Sequence, residues 1–245
     1  MIKHTRNPAW WFLRFAVGER DEAGNRVWGA GMLYSQVDLE AIYAWAAWCD
    51  ARGLTFDYVL TQQRTAHDML TMIARAGRGS YTWQTGKLGA IWDAADQPYV
   101  GMIGPYNIKA GTFEVSYADA TVDEIVGTFI NPARNWEADE VRVRVPGAPL
   151  LNSPLKLDLE GNTDAALAGR EVNLIAASQL FHRRRVVWEM DIEGMMCTRG
   201  DVVQVSHDLT VWGYAGRLLG GSRFALRLDR SVPVAATFGW MTLRS

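Results

Sequence analysis

Apolar positions along this 245-residue chain change their spacing, and the first 95 residues carry mainly the helical period. Asn7-Pro8 combines a capping side chain with a residue whose φ is already helical. Trp11, Phe12, Phe15 and Ala16 then recur on one face up to Gly18, which predicts a short helix. From Glu19 to Gly31 the periodicity is lost and Gly24-Asn25 supplies turn chemistry, so an exposed loop is expected. Ser35 to Asp38 has the form of a capping box ahead of Leu39, Ile42, Tyr43, Trp45, Ala46 and Cys49, with Gly53 as the stop. That wide apolar face predicts a helix buried on most sides. Thr55 to Leu60 alternates as a strand does. Thr65 and Asp68 cap a third helix that turns Met69, Leu70, Met72, Ile73 and Ala76 inward and ends at Gly77 and Gly79. Ser80 to Gln84 and Leu88 to Asp93 flank Thr85-Gly86-Lys87 as a β-hairpin.

After Trp92 a period of two prevails. Phe113 to Tyr117, Ile125 to Ile130 and Val141 to Val145 alternate as strands, with turns at Asp119 and at Asn131 to Asn135. Pro146 to Gly161, rich in proline and glycine, predicts an extended linker. A helix from about Asp164 to His182 carries Leu167, Leu174, Ile175 and Phe181 on or near one side. Strands at Val186 to Ile192, Val202 to Val205, Ala215 to Leu219 and Arg223 to Leu228 follow, the last two bracketing Gly220-Gly221-Ser222. This meander has the habit of a small barrel or sandwich. The expected fold is α+β, with a helix, strand, helix and hairpin module over residues 1–95. A β-rich, barrel-like module over residues 96–245 follows, with one inserted helix near 164–182.

Charge narrows the function. With 25 Lys+Arg against 27 Asp+Glu the formal net charge is −2, so no broad footprint for nucleic acid or an anionic membrane is present. The longest strongly apolar run, Ala41 to Cys49, falls short of the roughly 20 residues that a bilayer span needs. Arg14 interrupts Ala9 to Val17, which argues against a signal peptide. Cys49 and Cys197, far apart, build neither a zinc knuckle nor a disulfide framework, and a reduced protein folded in the cytoplasm is expected. Eleven tryptophans are many for this length. They serve either sugar stacking or rigid packing and interfaces, and their place in helix and strand patterns favours the second. Lysine occurs only at positions 3, 87, 109 and 156, and the remaining basic residues are arginine, a bias that reflects either codon composition or use at subunit interfaces.

Candidate chemistry is sparse. His4, His67, His182 and His207 show no metal-ligand spacing, and His207-Asp208 near Asp201 reads as a polar turn. Cys49 on an apolar helical face reads as a core thiol. Gly79 to Lys87 lacks phosphate-loop spacing, with Leu88 where Ser or Thr is required. Asp191 and Glu193 read as one polar strand face, Arg199-Gly200-Asp201 as a turn, and Arg183-Arg184-Arg185 as a solvated helix end. No catalytic, cofactor-binding or metal-binding residue is assigned, and no enzyme activity is expected.

The order of several segments carries a resemblance. These are Asn7-Pro8-Ala9-Trp10, the helix from Asp38 to Asp50, Thr61 to Ala66 after a strand, the helix from Asp68 to Ala76, the hairpin ending at Trp92-Asp93, Arg199 to Val203, and Ala215-Gly216-Arg217. Together, over residues 7 to 230, they resemble the central region of the tail tip attachment (host specificity) protein J family of lambda-like phages. The resemblance implies a structural protein of the baseplate hub in the virion tail of a phage or prophage, forming a homotrimer with other tail tip and tail tube proteins as partners. Such proteins are much longer, which implies a fragment or a truncated gene, and the stretch from Pro146 to Gly161 is more proline-rich than the family pattern. The alternative is a carbohydrate-binding or glycan-hydrolysing β-rich protein. The structural reading predicts exposed strand edges or apolar patches that neighbouring copies satisfy. The alternative predicts a tryptophan-lined cleft with convergent carboxylates.

Overall fold

Local capping starts each helix of the computed structural model, which describes residues 5–84, 86–95, 97–118, 122–148, 150, 152–207, 218–222 and 225–228. Asn7 Oδ1 accepts from the Ala9 N–H at 2.9 Å and opens α1 (Pro8–Val17). Its Nδ2 donates to the Ala46 carbonyl at 2.9 Å and to Asp50 Oδ1 at 2.7 Å, so one buried side chain both caps a helix and fastens it to the next. The expected loop at 19–31 is instead a short antiparallel ribbon of β1 (Glu19–Arg20) and β2 (Arg26–Trp28). Asp21 closes its turn by accepting from the Asn25 N–H at 2.7 Å.

Asp38, rather than Ser35, caps α2 (Leu39–Arg52), because residues 34–36 form a separate 3-10 turn and the Asp38 carboxylate accepts from the Ala41 N–H. Only Ile42, Trp45, Ala46 and Cys49 of α2 are buried and Tyr43 is exposed, so the helix hides one face and not most sides. Thr65 caps α3 (Ala66–Ala76) through the Asp68 N–H, with Met69, Leu70, Met72, Ile73 and Ala74 buried. The hairpin of β3 (Gly79–Gln84) and β4 (Lys87–Trp92) packs on α2 and α3. Trp45 is the centre of this first core. Its Nε1 donates to the Gly77 carbonyl at 3.0 Å, and its ring meets Phe12 edge-on at 5.7 Å. A Cβ at Gly77 would lie 2.4 Å from that ring, so only glycine fits there.

Thr55 to Leu60 is not a strand. The extended segment has no ladder partner, and its N–H groups bond singly, Phe56 to the Arg6 carbonyl and Asp57 to the Gly161 carbonyl. β5 (Tyr99–Ile103) and β6 (Glu114–Tyr117) follow, then a three-stranded sheet in the order β8-β7-β9. Here β7 (Glu124–Asn131) pairs antiparallel with β8 (Glu137–Arg144) and parallel with β9 (Pro154–Asp158). The expected linker at 146–161 thus contains a strand. Pro154 is its first residue, on an edge, where a missing N–H is tolerated.

Asp164 caps α4 (Ala165–Phe181), which lies on this sheet. The buried face of α4 is Leu167, Ala168, Val172 and Ala176, whereas Leu174 and Phe181 are exposed, contrary to the expected face. Small residues win because the helix approaches β7 closely: a Cβ at Gly127 would stand 2.5 Å from Val172 Cγ2. Ile125, Phe129, Leu159 and Val172 form this second core.

β10 (Arg184–Val187), β11 (Val202–Val205), β12 (Leu218–Ser222) and β13 (Ala225–Leu228) complete the described elements. β11 runs parallel to β5, and β12 pairs with β13, so Gly220-Gly221 lies within a strand rather than between two. Ile192 begins a 3-10 segment instead of ending a strand. Asp119, Thr85 and residues 215–217 of the expected elements lie outside the described residues. The fold is α+β, and no sheet among the described residues closes into a barrel.

The chain divides into two compact units, Met1–Ala94 with Tyr117–Arg185, and Ala95–Ser116 with Val186–Ser245. The first unit's leading segment ends at Ala94, and that unit resumes at Tyr117 and takes in β7, β8, β9 and α4.

Candidate functional site

Within the first unit, the segment Asp158 to Thr163 separates two hollows. Its shape depends on Gly161, which has φ +78°, and a Cβ there would sit 2.3 Å from the Phe56 ring. On one side lies a cleft of about 290 Å³ between α3 and α4. Two ion pairs span it: Arg64 grips Glu160 with contacts of 3.0 and 2.5 Å, and Arg78 Nε donates to Glu171 at 2.9 Å. The Glu160 hydrogen bond raises the Arg64 pKa above its ordinary value, so the guanidinium stays charged. His67, which is exposed, stands at this cleft with Nδ1 2.5 Å from Tyr81 Oη.

On the other side is a groove of about 770 Å³, lined by Trp11, Trp136, Tyr58, Phe56 and Ile130, and by Asp158 and Asn162, which line the cleft as well. Trp11 is fixed by its Nε1 donating to the Thr5 carbonyl at 3.0 Å. Phe56 and Tyr58 stack with centroids 6.0 Å apart, and the Arg64 guanidinium lies 5.5 Å from the Tyr58 ring centroid. Two of the nearby carboxylates are neutralised. Asp57 takes Arg6 Nε at 2.8 Å and the Thr163 hydroxyl at 2.7 Å, and Glu160 takes Arg64. The Asp57 hydrogen bond raises the Arg6 pKa. Asp158 differs, since it is exposed and its carboxylate has no hydrogen bond or ion pair with a described residue.

The remaining sequence candidates stay apart from both hollows. His182 is the C-cap of α4, and its N–H bonds the Ser178 carbonyl at 2.8 Å. His207 stacks on Phe113 with centroids 3.9 Å apart, while Asp208 and His4 lie outside the described residues. Asp201 closes its own turn, accepting from the Thr198 N–H at 2.7 Å. Asp191 and Glu193 do not form a strand face: they flank the start of the 3-10 segment, Asp191 3.0 Å from Lys109 and Glu193 bonded by Asn107. The arginine run is not a bare helix end. Arg183 Nε donates to the Ala118 carbonyl at 3.2 Å, and Arg184 sits 5.8 Å from the Tyr117 ring centroid. Cys49 is fully buried and desolvation pushes its thiol up to about 12, so it is a core thiol. Among the described residues no three His, Cys, Asp or Glu side chains cluster as a metal site, and no helix is long and apolar enough to cross a membrane.

Of the tryptophans, Trp45 is fully buried, and Trp10, Trp28, Trp48 and Trp92 pack partly buried against the first core. Trp11 and Trp136 meet in the groove although 125 positions apart, and sequence offered no signal for that meeting beyond the tryptophan count. Strand edges are also exposed, since no described strand pairs with the outer edge of β8 or β9. The first unit thus carries both strand edges that no described strand covers and a groove lined by two tryptophans.

No curated protein matches the chain. Among solved structures it is similar to the tail protein from Neisseria meningitidis MC58, with 16% identity and a TM-score of 0.50, over 71% of this chain and 58% of that one. A chain of the native gene transfer agent (GTA) virion gives 15% identity and a TM-score of 0.46 over 66% of this chain and 40% of that one. The 43 kDa tail protein of prophage MuSo2 from Shewanella oneidensis gives 13% identity and 0.41 over 68% and 53%. The chain thus spans less than two thirds of each of these proteins, and the first likeness is one of fold. Residues 65–223 match the family model described as "Putative phage tail protein". With more than half of its length inside that model, the chain belongs to this family of phage tail proteins.

Proposed function

We propose that the chain is a structural component of a phage or prophage tail tip, a baseplate hub part that closes the tail tube and supports host attachment. The family match over residues 65–223 carries the tail assignment. The order of the segments that resemble the tail tip attachment family narrows it to the tip. In this reading the protein folds in the bacterial cytoplasm and is built into the virion tail as a homotrimer, touching other tail tip and tail tube proteins. The outer edges of β8 and β9, which no described strand covers, support an assembly role, because an uncovered edge presents unpaired backbone groups that a neighbouring copy can meet in a closed ring. Arg142 and Arg144, exposed on β8, and Trp136 at its start are residue types enriched at such contacts. The role is read as non-catalytic, which the engagement of the groove carboxylates Asp57 and Glu160 by arginines supports, although the third, Asp158, has no such partner.

Mass spectrometry of gradient-purified tails from a strain carrying the gene tests this reading. Peptides of the chain should co-purify with complete tails. Complete, infectious tails without them would overturn it.

A further inference from the structure

We infer that the groove beside β9 is a binding site for a neutral or basic oligosaccharide. Three observations converge on this ligand chemistry.

The first is the way flat aromatic faces are held. Trp136 is 65% exposed and follows Asn135 at consecutive positive φ values of 63° and 53°. Two such residues in succession are costly for side chains with a Cβ and persist only where their surroundings over-determine them. A network does so here. Asn131 accepts from the Ala133 N–H at 3.0 Å and donates to Asp139 at 2.8 Å, Arg134 donates to Asp139 at 3.2 Å, and the Trp136 N–H reaches the Asn131 carbonyl at 3.1 Å. The result is a large apolar side chain held in solvent at a groove wall, facing away from either core. Trp11, 37% exposed, is anchored by its own indole N–H, and Tyr58 by its stack on Phe56. The Trp11 and Tyr58 rings and the Trp136 backbone are thus held before any ligand arrives, which lowers the entropic cost of binding.

The second is the polar lining. A pyranose ring offers an apolar C–H face and a perimeter of hydroxyl donors, so it needs aromatic planes flanked by acceptors. Asp158, which lines both the groove and the neighbouring cleft, supplies an acceptor that no described residue uses, and Asn162 also lines both. An aliphatic side chain or a plain apolar helix seated in the groove would bury that carboxylate without a partner, a penalised arrangement. Sugar hydroxyls would satisfy it.

The third is charge. Arg6 and Arg64 are matched by Asp57 and Glu160, which leaves the Asp158 charge unbalanced at the groove. Phosphorylated or carboxylated ligands are disfavoured, and neutral or amino sugars are not. The volume of about 770 Å³ is within the usual range for ligand sites and has room for more than one sugar ring.

This inference does not require the tail assignment, because binding is measured on the isolated full chain. Isothermal titration calorimetry with chitotetraose, cellotetraose and maltotetraose as probes should give saturable binding of at least one, with a dissociation constant between about 0.1 and 10 mM. Trp136→Ala and Trp11→Ala should each weaken it about tenfold or more, and Asp158→Asn should weaken it measurably. Trp83→Ala removes an exposed tryptophan on the β3–β4 hairpin, away from the groove, and should leave binding unchanged. Far-UV circular dichroism establishes that each variant is folded. Absence of binding by all three probes would overturn the inference. So would equal losses in Trp83→Ala and Trp136→Ala. A change of oligomeric state in Trp136→Ala with saccharide binding intact would instead assign the groove to a second copy of the chain.

Discussion

Gly127→Ala probes the contact that places α4 on β7 and, through Leu159, shapes the wall between the two hollows. The added Cβ would lie 2.5 Å from Val172 Cγ2 and 2.9 Å from Leu159 Cδ1, where carbon atoms prefer about 3.5–4.0 Å. Val172 is fully buried and its χ1 is stiff, so the strain is not relieved by a simple rotamer change. Overpacking of this kind costs about 1–3 kcal/mol. Replacing a strand glycine returns about 0.5–1 kcal/mol of backbone entropy, leaving a net loss of about 1–2 kcal/mol. Val172→Ala alone removes two methyl groups at about 0.8 kcal/mol each and adds a cavity penalty, for a loss of about 2–3 kcal/mol. In the double variant the methyl group introduced at Gly127 fills part of the space left by Val172. Its loss should therefore fall short of the sum of the single losses by about 1 kcal/mol or more. Urea unfolding followed by circular dichroism, with unchanged m values, reads these quantities. A neutral Gly127→Ala, or strict additivity in the cycle, would refute the described seating of α4.

Asn7→Ala should cost about 2 kcal/mol by chemical denaturation, because it removes a helix cap and the buried side-chain bonds that fasten α1 to Ala46 and Asp50 of α2. Thiol titration of the native chain should count one reactive group, the partly exposed Cys197, and two after unfolding, since Cys49 is buried with its thiol pushed up to about 12. The Asn131 amide, the Glu140 N–H and Arg134 hold the Asp139 carboxyl below the usual carboxylate range. Its contribution to the Trp136 turn is complete above about pH 4 and is lost as pH falls through the lowered folded value. Asp139→Asn should flatten that acid limb of the stability curve, as followed by thermal melts across pH.

Helix starts were legible because each is written within about three residues. Asn7-Pro8, Thr65 with Asp68, and Asp164 satisfy nearby N–H groups wherever the chain goes next. Elements that depend on distant partners were not. Thr55 to Leu60 alternates like a strand but meets only single carbonyls, of Arg6 and Gly161. The segment 154–158 carries linker composition yet pairs with β7, because the partner strand lies some thirty residues upstream. On α4 the largest side chains suggested the core face, whereas Gly127 admits a close approach that favours Ala168, Val172 and Ala176. The groove was hidden for the same reason. Trp11, Tyr58, Trp136 and Asp158 come from four separate segments, and nothing local announces their convergence.

Electron cryo-microscopy of intact tails tests the proposed role most directly. The account predicts density for this chain in three copies at the distal end of the tail, related by a three-fold axis along the tail tube, with the β8 or β9 edge at a subunit contact. A single copy, a six-fold ring, or a position away from the tip would contradict it.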